Sequence, residues 1–139
     1  MKRAEALLKL SREHHTALSI AQRARRALAG GVAGDIESVA AEASRRFVSE
    51  LEPHFLDEER WLLPALDAVG ETALVTRTMD EHRRLRALAG ELPGGGAVVL
   101  TAFAELLGDH VRFEERELFE SAQARIPSDE LARLAARDC

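Results

Sequence analysis

The stretch HFLDEERWL, residues 54–62, returns as HVRFEEREL, residues 110–118, and the two copies share the pattern HxxxEERxL. The match extends upstream: Phe47 and Leu51 precede His54 by seven and three residues, as Phe103 and Leu107 precede His110. Seven identities at fixed offsets argue for a structural repeat. In an α-helix, residues four apart lie about 40° apart around the axis and one turn apart along it. Each copy therefore sets an imidazole beside a carboxylate, His54 beside Glu58 and His110 beside Glu114. Two such pairs can hold metal.

The rest of the chain reads as helix around them. Apolar residues recur at helical rather than alternating spacing, aromatics are sparse and Tyr is absent, which makes the chain all-α. A first helix is expected over residues 3–28, with Leu7, Leu10, His14, Ala17, Ala21, Ala24 and Leu28 on one stripe and Gly30, Gly31 and Gly34 ending it. Asp35 is the expected N-cap of a second helix that runs to Val69 and contains the first copy of the repeat. Pro53 lies inside it and should remove a backbone hydrogen bond just before His54. A third helix, 71–92, carries His82, and Pro93 with the following glycines breaks it. The fourth, 97–124, contains the second copy. Ser128-Asp129-Glu130 opens a short final helix ending near Arg137, which should act as a lid.

Four amphipathic helices on short connections favour an up-down-up-down antiparallel four-helix bundle with a short C-terminal helix, and 139 residues fit one domain, 1–139. In such a bundle the distances from each histidine to its loops differ by only a few residues, so His14, His54, His82 and His110 fall at similar depth. A buried carboxylate without a partner shifts its pKa or destabilises the fold, and four unpaired imidazoles add to the cost. A shared cation removes both problems. The donor set His14 (or His15), His54, Glu58, His82, His110 and Glu114 suits iron, manganese or zinc, and its two glutamates can bridge a pair of ions. His14 lies at the centre of the first helix's apolar stripe; His15 points about 100° away and is the alternative.

Composition narrows the function classes. Acidic residues outnumber basic ones, 24 to 19, and a net charge of −5 argues against nucleic acid as a partner. The clusters Arg23, Arg25, Arg26 and Arg83, Arg84, Arg86 read as solvated helix faces. The single cysteine, Cys139, offers no disulfide or thiolate cluster and reads as an exposed terminal thiol. No apolar run is long enough for a membrane span, and Lys9 interrupts the N-terminal segment before a signal sequence could form, so a cytoplasmic protein is expected.

The order Glu13-His14, His54/Glu58, Glu81-His82, His110/Glu114 resembles the hemerythrin-like (HHE) cation-binding domain family, over residues 7–119. The resemblance implies a four-helix bundle holding a non-haem di-iron centre: His54 and His110 as terminal ligands, Glu58 and Glu114 as bridges, His82 as the third-helix ligand, and an open position for dioxygen. The chain departs from the oxygen-carrying hemerythrins in two ways. Their third helix brings two histidines one turn apart, whereas Thr78 and Arg86 flank His82 here; their fourth-helix carboxylate is an aspartate five residues after its histidine, whereas Glu114 follows His110 by four. The expected function is binding of dioxygen or a related diatomic for sensing, storage or iron handling. The alternatives are an oxygen- or peroxide-activating enzyme and a zinc-bound or metal-free bundle acting through a protein partner. Glu59 and Glu115 read either as hydrogen-bond partners of another helix's imidazole or as solvated residues, and Phe47 and Phe103 as core.

Overall fold

Gly31 and Gly70 take positive φ, 70° and 92°, and each ends a helix where a side chain would be strained. In the computed structural model, which describes residues 2–137, the stops divide the chain into five helices: α1 (Glu5–Gly30), α2 (33–68), α3 (Thr72–Glu91), α4 (96–125) and α5 (Ser128–Arg137). Cys139 lies outside the described residues. No strand occurs among them, and no helix is long and apolar enough to cross a membrane.

The boundaries follow the sequence to within a few residues, with one correction. Helix α2 begins at Ala33 rather than after Asp35, and Val32 stands at its cap without a side-chain hydrogen bond. Asp35 sits inside the first turn, where its charge still faces the positive end of the helix.

Helices α2 and α4 are not regular throughout. In α2, π-helical turns at Phe47–Leu51 and Glu58–Leu62 interrupt the α ladder, and in α4 one occurs at Glu114–Leu118. Each closes with an N–H reaching five residues back: Glu52 to Phe47, Leu63 to Glu58, Phe119 to Glu114. Pro53 and Pro64 directly follow the two closing residues of α2, so the widened turn falls where the pyrrolidine ring would otherwise meet a carbonyl. No proline follows the turn in α4. The turns beginning at Glu58 and Glu114 therefore belong to the HxxxEERxL repeat itself.

The apolar interior is in two parts. One cluster, around Ile20, Phe47, Leu85, Leu92, Leu100 and Phe103, fills the end near the 31–32 and 92–95 connections. The other, around Leu7, Trp61, Leu66, Phe119 and Ile126, fills the opposite end, and α5 covers it with Leu131. Ala17, Ala21 and Ala24 of α1 keep that helix close to α4. Between the two clusters lies a buried polar layer.

Candidate metal centre

That layer consists of His14 from α1, His54 and Glu58 from α2, His82 from α3, and His110 and Glu114 from α4, all at most 3 % exposed. Their donor atoms form two groups of four. His14, His54, Glu58 and Glu114 make one, and Glu58, His82, His110 and Glu114 the other, with the atoms in each lying within 4.8 Å of one another. Both carboxylates belong to both groups. Glu58 turns Oε2 to His54 Nε2 at 3.3 Å and Oε1 to His82 Nε2 at 3.1 Å. Glu114 turns Oε1 to His14 Nε2 at 2.7 Å and Oε2 to His110 Nε2 at 3.1 Å. The arrangement has an approximate twofold relation, α1 and α2 matching α3 and α4.

Every imidazole is held from behind by a second carboxylate. Nδ1–H of His54 donates to Glu13 (2.9 Å), of His82 to Glu59 (2.6 Å), of His110 to Glu81 (2.7 Å) and of His14 to Glu115 (2.6 Å). The four links run α1 to α2, α2 to α3, α3 to α4 and α4 back to α1, a closed circuit. Each fixes the ring orientation and leaves Nε2 directed at the centre, the arrangement that raises the basicity of a metal-binding imidazole. The outer glutamates are themselves paired with cations: Glu13 with Lys9, Glu59 with Arg86, Glu81 with Arg77, Glu115 with Arg3. Ser11 adds a hydrogen bond to Glu115 at 2.8 Å.

The electrostatics call for positive charge at the centre. Burial opposes protonation of His82, yet hydrogen bonds to Glu114, Glu58 and Glu59 push it up to about 11; burial likewise opposes His110, which the Glu114 charge raises to about 9. His14 and His54 are raised against burial for the same kind of reason. Burial would raise Glu114, but the surrounding imidazoles hold it well below the usual carboxylate range. Among the described residues, four buried side-chain atoms of this layer nevertheless lack a hydrogen-bond partner: His54 Nε2, Glu58 Oε2, His110 Nε2 and Glu114 Oε2. These orphans lie two in each donor group and face inward, so a cation in each group would satisfy them.

The chain matches the hemerythrin HHE cation binding domain over residues 6–122. It belongs to that family. Comparison with curated proteins and with solved structures gives no significant match. Membership accords with the buried His/Glu groups, and this hemerythrin-like domain is a metal-binding helical bundle.

The expected donors are thus brought together, and the alternative at α1 separates cleanly, His14 buried in the layer and His15 exposed. Of the two residues one turn from His82 in this hemerythrin-like site, Thr78 is fully buried and its hydroxyl donates to Leu74 O at 2.8 Å, while Arg86 is bonded to Glu52 and Glu59. Phe47 and Phe103 belong to the neighbouring apolar cluster. The rings against the imidazoles are instead Phe55, stacked on His82 with centroids 3.9 Å apart, and Phe119, parallel to His14 at 5.3 Å. Trp61 packs at the lid end, and Glu117 is exposed beside Arg77. Sequence reading left Glu13 and Glu81 without a role, although the doubled Glu-His dipeptide was their signal. It also placed Arg86 on a solvated face, whereas its guanidinium is bonded to Glu59.

Proposed function

We propose that this domain, residues 1–139, holds two iron ions bridged by Glu58 and Glu114 and uses them to bind dioxygen or a related diatomic. The observation that carries the reading is the pair of donor groups sharing both carboxylates. His14 and His54 would hold one ion, His82 and His110 the other. Two nitrogens and two shared carboxylates are fewer donors than octahedral iron takes, which leaves room for a small ligand. Bound iron would supply reversible coordination of that ligand. The protein's part is to hold the proton at Nδ1 through the outer glutamates, so that each Nε2 is the atom presented to an ion, and to exclude bulk water with Phe55 and Phe119.

Metal analysis of aerobically purified protein is expected to give two irons per chain, with charge-transfer absorption that bleaches on anaerobic reduction and returns on exposure to oxygen. Zinc alone, or no metal, would overturn the iron assignment; a spectrum indifferent to oxygen would overturn the ligand. Glu58→Ala removes one carboxylate from both groups and should abolish loading of the pair. Unchanged stoichiometry in that variant would refute the bridging role.

A further inference from the structure

Arg86 lies on α3 one turn beyond His82 and touches three residues of α2. Its Nε donates to both Glu52 oxygens at 2.9 Å, while Nη1 and Nη2 reach Glu59 Oε2 and Oε1 at 2.9 and 3.2 Å. Its guanidinium carbon stands 5.6 Å from the centre of the Phe55 ring. Two of these three residues are also what surrounds His82: Glu59 accepts from Nδ1 and Phe55 stacks on the ring face. The third, Glu52, opens the α-helical segment Glu52–Asp57 that lies between the two π turns of α2, and Glu59 is the second residue after it. One side chain thus spans the segment that carries His54 and leads into Glu58.

The repeat does not explain this clamp. At the twofold-related positions, Arg86 corresponds to Leu18, Glu52 to Gly108 and Phe55 to Val111. The brace on His14 comes from a different place in the chain, Arg3, which bonds Glu115 at 3.1 Å and stands 5.4 Å from the centre of the Phe119 ring, and which does not reach across a donor-bearing segment as Arg86 does through Glu52. A surface ion pair serving only to join helices has no reason to engage the two groups that fix an imidazole. We propose that Arg86 is a positioning residue of the metal centre, setting the orientation of His82 through Glu59 and Phe55 and locking the donor-bearing segment of α2 to α3. This rests on the reading that the six donors hold metal.

The test is a cobalt(II) titration of the full-length chain, followed by the visible bands of the bound ion and by chelator competition. Arg86→Met should weaken binding of at least one of the two ions by roughly 10- to 100-fold, the usual cost of losing a group that orients a ligand, and should shift the bands. Arg86→Lys keeps the charge but loses the bidentate fork, and should fail to restore either. Arg83→Met removes an exposed arginine of the same helix that pairs with Asp80, outside the clamp, and should stay near wild type in both readouts. Wild-type affinity and bands in Arg86→Met, or full rescue by lysine, would overturn the proposal. Failure of the wild-type chain itself to bind cobalt or iron would instead overturn the metal assignment.

Discussion

His14 and His15 are adjacent on one helix, about 100° apart around its axis, and the bundle uses only the first. His14 donates from Nδ1 to Glu115 and approaches Glu114 through Nε2, whereas His15 is exposed. His14→Ala should therefore cost one metal per chain, and His15→Ala should leave the stoichiometry at the wild-type value, as read by metal analysis of the two variants side by side. The reverse outcome would mean that α1 is rotated in the loaded protein. At this scale the sequence disclosed the inward donors, because i,i+4 spacing fixes which side chains share a helix face. It could not disclose which imidazole each outer glutamate meets. Glu115 reaches His14 across a sequence separation of 101 residues, and that depends on the rotation of two helices in their packing. Arg86 was hidden for a related reason: an arginine among arginines reads as solvated until the acids opposite it are known.

At the scale of the element, the two π turns that begin at Glu58 and Glu114 give those helices a local pitch that no propensity argument supplies. Propensity sees only α-helix there, and Pro53 and Pro64 point to disturbance in α2 but are silent about α4. Helix ends were far more legible, since glycine and proline mark them with their own backbone limits. The final helix makes a clean prediction. Leu131 is 1 % exposed and is the one buried residue of α5, covering the cluster that contains Trp61. Leu131→Ala should destabilise the fold by about 2–3 kcal/mol, the low end for a buried leucine because α5 is short. Trp61 is the only tryptophan, so its emission should move to longer wavelength as the lid loosens. An unchanged melting curve and emission maximum would show that α5 is not a lid.

Across the whole molecule, two apolar clusters meet at a layer of charge, and the stability of the bundle should depend on what neutralises that layer. In chelator-treated protein the neutralisation comes from protons on the imidazoles. His110 and His82 are raised to about 9 and about 11 from an ordinary value of 6.5, so their contribution is full below pH 6.5 and is lost as pH climbs through those values. Glu59 runs the other way. Burial opposes its ionisation, but hydrogen bonds from His82 and Arg86 lower it to about 2 from 4.5, so its contribution holds above pH 4.5 and fades as pH falls toward 2. Thermal melts of the chelated protein should thus show stability declining from about pH 6.5 to 9, and metal, which replaces the protons at Nε2, should flatten that decline. A melting temperature that rises over this range would contradict the assignment. The closed circuit of outer glutamates has a genetic corollary. Substitutions at Glu13, Glu59, Glu81 and Glu115 will show epistasis with the histidine each supports, and that histidine is always on the next helix round. A compensating change for any of them is therefore to be sought on a neighbouring helix, far away in the chain, and not beside it in sequence.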